Sequence, residues 1–565
     1  MATIIQEQHR GNHDRSQRWA RRERAALFER YDELHTQGGS QRQAAKTLNV
    51  PRSTLQAWRA YQEHRDESPT VVAFFHSVPG LAFLHRVVIA LHVVWVEIGA
   101  CGMRLVCLVL ELTGLNGFVG ASYGTQQQVN RHVEEALVAY RHAESARLSH
   151  EMPRKESTMP QEETLTGGLW LVGIEPVSNY LSLEPGAQAR DPDTWQACME
   201  PALAGLNCQG SPSTSDAAPG LLAYVEQHLR AHHAPDLFHG QHELGKAVAA
   251  PLAVTQRAAA KAMAQAEETL TRVHERFDHT HGEPAKRGPG RPPKAAACLE
   301  QVEQAVEAAR HEPQRLTGQR EQVTQSMRAI GHAYHFVDLE RGVRRNGKLI
   351  AGDIQQPIET IRTIAQQEGL SQACMERIAK AERVVPKMQA TIEFVSGYVR
   401  QQVTSREVPP PQSFAMHAHL IPSYYLERVA STRTVMAGEP LRALAERLRT
   451  PWFEPDGAFG VVSPVEQDAL KAKAKTLAEG FQRSSSHVEG RNGYLSLRNP
   501  QLRGLDHPRK RACLTAIHNC FLPRADGTTA PERCCGQKPR AMFAAILDTV
   551  EIPPAPLSPP RRSAG

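Results

Sequence analysis

Aromatic residues are scarce, at 6% of 565 positions, so stacked ring systems are not the main source of cohesion. Long hydrophobic runs free of charge are also missing. The most apolar stretch, 81–100, carries His85, Arg86, His92 and Glu97. A spanning helix needs about 20 apolar residues with few charges, so a buried helix is expected there and no membrane partner. The first thirty residues are polar and Arg-rich, without the apolar segment of a secretory leader. Ten cysteines in so long a chain make no disulfide framework. No Cys-x-x-Cys occurs, Cys534 and Cys535 are adjacent, and Cys513 and Cys520 lack a second pair, which removes the usual zinc spacings. A reduced, cytoplasmic setting is the expectation. No repeat of fixed period is visible.

What is present is ample apolar material, 41%, alongside 22% charged residues, which excludes wholesale disorder. The length calls for three or four domains, because single cores stop growing near roughly 250 residues. A net charge of +6 permits an anionic partner without requiring one; the distribution of charge matters more than its sum. Composition divides the chain as follows. Residues 1–66 are polar and basic, 67–145 are apolar and helical in pattern, and 146–168 read as a Pro/Glu/Ser/Gly linker. Residues 169–250 alternate short apolar runs with helical ones, and 251–480 are mostly helical. The segment 481–552 turns basic again, and 553–565 is a Pro-rich tail read as disordered.

The N-terminal region reads as a helix-turn-helix. Ala26, Leu27, Tyr31 and Leu34 fall at helical spacing in 23–34, and Gly38-Gly39 ends that helix. Ser40 is placed to cap 41–48, with Ala44, Ala45 and Leu48 inward. Asn49-Val50 makes the turn, and Pro51 suits the first position of a helix over 52–61. Leu55 and Trp58 are expected inside; Arg52, Ser53, Thr54, Gln56 and Arg59 are expected outside. Those five are donors for phosphates and base edges on the helix that would enter a major groove. Region 67–145 offers a second such candidate. There a helix over 104–112 and a turn at Leu115-Asn-Gly-Phe-Val precede a Ser122-capped helix carrying Gln126, Gln127, Gln128, Asn130 and Arg131.

The tract Lys286-Arg-Gly-Pro-Gly-Arg-Pro-Pro-Lys294 resembles an AT-hook. Its extended Arg-Pro backbone suits a narrow A·T minor groove, where Lys286, Arg287, Arg291 and Lys294 meet focused negative potential. It interrupts two charged, Ala/Gln/Glu-rich helical stretches, 258–277 and 298–327, that read as a long hairpin with the tract at its tip. Arg341, Arg344, Arg345 and Lys348 form a further basic turn around Asn346-Gly347.

From Gly168 onward two apolar strands separated by a turn are followed by a helix over 191–206 and a short polar run, 211–216. A helix over 221–229 and a strand over 234–239 complete the set. Strand, strand, helix, strand, helix, strand is the order of a ribonuclease H-like core. The run Leu-Val-Gly-Ile-Glu-Pro-Val-Ser-Asn resembles bacterial insertion-sequence transposases of the DDE class. Ser215-Asp216, Pro-Asp-Leu-Phe-His, Val488-Glu-Gly-Arg-Asn492 and Asp526-Gly-Thr-Thr-Ala-Pro-Glu-Arg extend the likeness. It spans most of residues 20–555, with its motifs in the right order.

The resemblance implies a DNA strand transferase that acts on element-end and target duplexes, as a homo-oligomer on DNA, nucleoid-associated in the cytoplasm. It implies two Mg²⁺ (or Mn²⁺) ions held by three carboxylates, because hard cations of an in-line phosphoryl displacement take oxygen ligands. The family's first acid, in an Asp-Glu-Thr motif, maps to Glu162 of Gln161-Glu162-Glu163-Thr164; the second maps to Asp216 and the third to Glu489. Asp236 and His239 match a supporting block, and Arg491 and Asn492 follow the third acid. Glu162 departs from the family's Asp. One extra methylene moves a carboxylate by about 1 Å, and catalytic geometry tolerates about 0.5 Å. The alternative is therefore a transposase-derived DNA-binding regulator without catalysis. The expected architecture is α+β and mostly helical: helix-turn-helix domain or domains, then a ribonuclease H-like mixed-sheet core interrupted by a large helical insertion.

Overall fold

Five short strands form one mixed sheet in the order β3–β2–β1–β4–β5. They are β1 (Lys155–Thr164), β2 (Trp170–Glu175), β3 (Tyr180–Leu183), β4 (Cys208–Ser215) and β5 (His233–Pro235). The computed structural model describes residues 21–63, 68–153, 155–165, 167–215, 217–281, 295–404, 409–501 and 504–555; outside the sheet these described residues are mostly helical. β1 lies at the centre. It runs antiparallel to β2, with Glu162 opposite Val172, and parallel to β4, with Pro160 opposite Thr214. A tight turn joins the antiparallel β2–β3 pair, whereas the parallel β4–β5 pair is bridged by a helical crossover, as parallel pairing requires.

The centre of the sheet is the part of the chain expected to be a linker. Residues 155–164 read as polar and proline-punctuated, but they are the strand on which the sheet is built. Thr158 and Gln161 are buried with partners rather than solvated: Ser213 Oγ donates to Gln161 Oε1 at 2.7 Å, and Thr158 Oγ1 donates to the Gly480 carbonyl at 2.5 Å. The other correction is at 234–239. The strand is only His233–Pro235, and a helix, Leu237–Leu244, starts immediately with Asp236 as its N-cap.

Alternation across the sheet separates two faces. Met159, Leu171 and Leu183 meet Trp195 and Met199 of helix Pro192–Ala204 and Leu221 and Tyr224 of helix Pro219–Tyr224. On the opposite face Val172, Ile174 and Leu181 meet Val488 of helix Ser486–Arg498. Each such fully buried side chain contributes roughly 1.5–3 kcal/mol, enough to pin that helix across the face where Glu162 lies. The free edge of β3 is closed by Asn519, whose amide exchanges two 3.0 Å hydrogen bonds with the N–H and C=O of Leu181, so the exposed-edge hazard is removed.

Two helical bodies flank the sheet. Helices Val78–Leu91, Met103–Leu112 and Tyr123–His150 share one core with Pro508–Cys520 and Met542–Thr549, through Leu84, Val88, Val133, Leu137, Ile517 and Ile546. The segment 481–552 serves both the sheet and this layer: its first helix roofs the sheet, helix Pro508–Cys520 closes the β3 edge through Asn519 and joins the N-terminal core, and Met542–Thr549 completes that core. Val78–Ile98 is long and apolar enough to cross a membrane by length and composition. Here it is a core helix that buries Glu97 beside Lys510 Nζ at 2.6 Å. Gln126 and Asn130, read as part of the polar run of a second recognition helix, are buried in the same network: His92 contacts Gln126 Oε1 at 2.8 Å and Asn130 Oδ1 at 3.0 Å. Only Gln127, Gln128 and Arg131 of that run face outward.

The second body is the 251–480 region, which has a large core of its own. Its antiparallel hairpin pairs helix Ala250–His281 with Ala295–Ala333, through Arg310–Glu267 at 3.5 Å and Gln256–Thr317 at 2.7 Å. The AT-hook-like tract, with Lys286, Arg287, Arg291 and Lys294, lies outside the described residues.

Helices Arg21–Thr36, Gln41–Thr47 and Arg52–Glu63 close a small core of Tyr31, Ala44, Ala45, Val50 and Leu55. Ser40 and Gln43 form a capping box, and Asn49 takes a left-handed turn at φ 52°. Arg52, Ser53 and Gln56 are exposed, and Arg59 has its side chain outside the described residues. Thr54 differs from expectation: it is 9% exposed, because it is adjacent to Leu55 on the inward arc and its N–H closes onto the Pro51 carbonyl at 2.9 Å.

Candidate carboxylate–histidine site

Glu162 is the eighth residue of β1, on the face roofed by helix Ser486–Arg498. The roof brings Glu489 to it, and the start of helix Leu237–Leu244 brings His239. One ligand atom from each of Glu162, His239 and Glu489 lies within 4.8 Å of the other two. Glu162 is 3% exposed. Burial raises its carboxyl to about 8; the Ser485 hydroxyl and His239 oppose that rise, whereas Glu489 and Asp236 add to it.

Ser485 and Asp236 form the frame. Asp236 Oδ1 caps its helix by accepting from the Phe238 N–H at 2.8 Å. Its Oδ2 accepts from His239 Nδ1 at 2.9 Å and from Ser485 Oγ at 2.6 Å. Ser485 Oγ also contacts Glu162 Oε1. A hydroxyl carries one proton, so Ser485 donates to Glu162 or to Asp236 but not to both at once. Burial favours the neutral form of Glu162. Asp236 Oδ2 thus faces His239 Nδ1, the carboxylate–histidine pairing that orients a metal-bound imidazole.

Asn492 Nδ2 reaches Glu162 Oε2 at 3.5 Å, while its own Oδ1 is buried with no hydrogen-bond partner among the described residues. An orphaned hard oxygen beside two carboxylates and an imidazole suits a divalent cation. The expectation of an all-carboxylate set is changed in one respect, since a histidine stands among the ligand-capable groups. Asp216 lies outside the described residues; its neighbour Ser215 ends β4, where Ser215 Oγ bonds His233 Nε2 at 2.8 Å.

Arg491 does not point into the cluster. It grips buried Glu184, just beyond β3, with two hydrogen bonds of 2.9 and 2.7 Å, and Thr515 Oγ1 adds a third at 2.5 Å. Burial alone would raise the Glu184 carboxyl, but Arg491 holds it below its ordinary range. Arg511, 4.3 Å over the Trp170 ring, completes the anchor. The pair fixes the helix that carries Glu489; it is a positioning device. Glu175, likewise, accepts from the Ser178 N–H at 2.7 Å and braces a turn.

Sequence reasoning did not identify Ser485 or Glu184. Ser485 lies in the run Ser484-Ser-Ser-His-Val-Glu489, and its place immediately before the helix bearing the acid was the available signal. Glu184 had none, since a lone acid after a strand is usually a solvated one.

The C-terminal part of the chain, residues 416–563, matches the model of DUF6399, a family of unknown function. No curated protein matches the chain significantly, and no solved structure does.

Proposed function

We propose that the chain is a divalent-metal-dependent enzyme that cuts and joins DNA strands, of the DDE transposase type, with Glu162 and Glu489 as ligands and Asp216 as the second acid. The observation that carries this reading is the meeting of Glu162, from the central strand, with Glu489 and His239, from helices far away in sequence. A five-stranded mixed sheet ordered β3–β2–β1–β4–β5, with a roof helix donating the last acid, supports a ribonuclease H-like core. A bound divalent ion would activate the attacking oxygen and neutralise the leaving one. Glu162 and Glu489 would hold it, Asp236 would orient His239, and Arg491 would hold the roof in register through Glu184. The three N-terminal helices support a helix-turn-helix that presents Arg52, Ser53, Gln56 and Arg59 to a major groove. Double-stranded DNA is the partner, and a cytoplasmic, nucleoid-associated setting follows from it.

The test is strand cleavage of duplexes carrying the ends of the element, with Mg²⁺ or Mn²⁺ against EDTA. Wild type should cut and Glu489→Gln and Asp216→Asn should not, with DNA binding retained. Glu162→Asp, which restores the family's residue, should preserve or increase cutting. Tight, Arg52-dependent DNA binding without cleavage under either metal would overturn the enzymatic reading and leave the regulator.

A further inference from the structure

A second polar feature lies beside the carboxylate cluster and shares its backbone. It is an open cleft of about 590 Å³ bounded by Arg328, His332, His335, Arg433, Arg483 and Gln241, and no acidic residue lines it. Its walls come from the C-terminal end of helix Ala295–Ala333, the turn after helix Ile421–Ser431, and the segment leading into the roof helix. Arg328, His332 and Arg433 are exposed. The side chains of the three have no ion pair or hydrogen bond among the described residues.

Arg483 is built in more firmly. Its Nη1 donates to the Gly331 carbonyl at 2.8 Å, the Tyr334 carbonyl at 3.3 Å and His335 Nε2 at 2.6 Å. His335, 2% exposed, is tied on its other side to the Tyr425 hydroxyl at 2.6 Å. Because Arg483 can only donate, His335 is the neutral acceptor. Burial, reinforced by the positive field of Arg483, His332 and Arg433, keeps it uncharged. Nε and Nη2 of Arg483 have no partner among the described residues. The protein has thus buried a neutral histidine to orient an arginine, and has left a ring of cations unbalanced around the opening.

The cleft adjoins the candidate catalytic residues through two covalent links. Arg483 is two residues before Ser485, and the Leu237 N–H donates to the Arg483 carbonyl at 2.9 Å, next to Asp236. Gln241 lies two residues beyond His239 on the same helix. A group seated in the cleft is therefore held in register with the carboxylates.

We propose that this cleft is a phosphate subsite, in which Arg328, Arg433 and Arg483 seat the backbone of the DNA strand that enters the carboxylate site. Guanidinium groups match phosphate oxygens in fork geometry, and unpaired cations gain most by releasing the counterions of a polyanion. The assignment rests on the strand-cutting function proposed above, and it gives the helical insertion a role in holding substrate.

The experiment measures full-length wild type, Arg328→Gln, Arg433→Gln and the double variant by fluorescence anisotropy on element-end duplex across a salt series. Each single substitution should weaken binding uniformly across sequences and flatten the slope of log K against log salt by about 1, and the double by about 2. Both residues are exposed, so melting temperatures should match wild type. Unchanged slopes in a wild type that binds DNA would overturn the subsite and leave the proposed function standing. A wild type that fails to bind DNA would overturn both. In a parallel arm with inorganic phosphate alone, thermal protection of wild type but not of the double variant, with DNA slopes unchanged, would make the ligand a free anion and overturn the DNA assignment.

Discussion

Removing the proton-holding group at the centre of the sheet gives the sharpest test of the site. In the fold Glu162 keeps its proton up to about pH 8 because it is buried and faces the acids Glu489 and Asp236. The unfolded chain releases that proton near pH 4.5. Stability contributed by the neutral acid is therefore intact below pH 4.5 and is lost progressively up to about pH 8, at about 1.4 kcal/mol per pH unit. Over that window the loss is roughly 5 kcal/mol, a large part of the 5–15 kcal/mol typical of a folded domain. Glu162→Gln keeps the size and the hydrogen-bonding atoms but cannot ionise. In EDTA its melting temperature, read from the fluorescence of Trp170 and Trp195 in and against the sheet, should exceed wild type at pH 8 and converge with it at pH 5. Calorimetric titration of wild type with Mn²⁺ at pH 7, in buffers of different ionisation enthalpy, should show release of about 0.9 proton per ion bound. Parallel melting curves for wild type and variant from pH 5 to 8.5 would refute the reasoning, because they would mean that Glu162 titrates as an ordinary acid.

Asp236→Asn should weaken Mn²⁺ binding by roughly 10–100-fold, since it holds the imidazole of His239 without touching the ion itself; equal affinity by titration would remove it from the frame. Arg491→Leu takes the bidentate partner from buried Glu184 and leaves it only Arg511 and Thr515, so stability should fall by up to about 3–5 kcal/mol; a thermal melt checks it, and loss of Mn²⁺ affinity should accompany it. Lys510→Met strands Glu97 in the N-terminal layer, leaves Glu134 to Arg509, and should cost a similar amount at pH 8. Burial already raises the Glu97 carboxyl, so the deficit should shrink as the pH falls and that acid takes up a proton. Ser40→Ala removes the capping box of the second helix and should cost about 0.5–2 kcal/mol, measured as earlier melting of the three-helix unit.

The N-terminal helices were legible because their punctuation is local: Ser40 with Gln43, the left-handed Asn49, and Pro51 each act within four residues. The helix over 192–204, with Trp195 and Met199 inward, was legible for the same reason, since Asp191 caps it. β1 was not legible. Lys155–Thr164 has no apolar alternation, because one of its faces carries the site and its polar groups find partners across the sheet, as Gln161 does with Ser213. Hydrophobic periodicity reports burial against apolar neighbours and is silent about burial against polar ones. The acids Glu162 and Glu489 emerged from motif resemblance rather than from periodicity, and the link from Arg491 to Glu184 spans 307 residues, beyond any local signal. Thr54 shows the residual error of face assignment on a short helix, where one residue's rotation separates inside from outside.

The distance along the chain between the two halves of the carboxylate cluster has a consequence for synthesis. Ser485 meets Glu162 across 323 residues, which at about 5–20 residues per second separates their emergence from the ribosome by roughly a quarter of a minute to a minute. The three N-terminal helices close their core using only residues before 64. A nascent chain thus completes its N-terminal three-helix unit long before it can assemble the Glu162–His239–Glu489 cluster. Any product that ends before Ser485 retains the first and lacks the second. With the function proposed, premature termination or proteolysis of the C-terminal segment yields a chain that occupies element ends without cutting them, a built-in competitor whose dose is set by the fraction of incomplete chains.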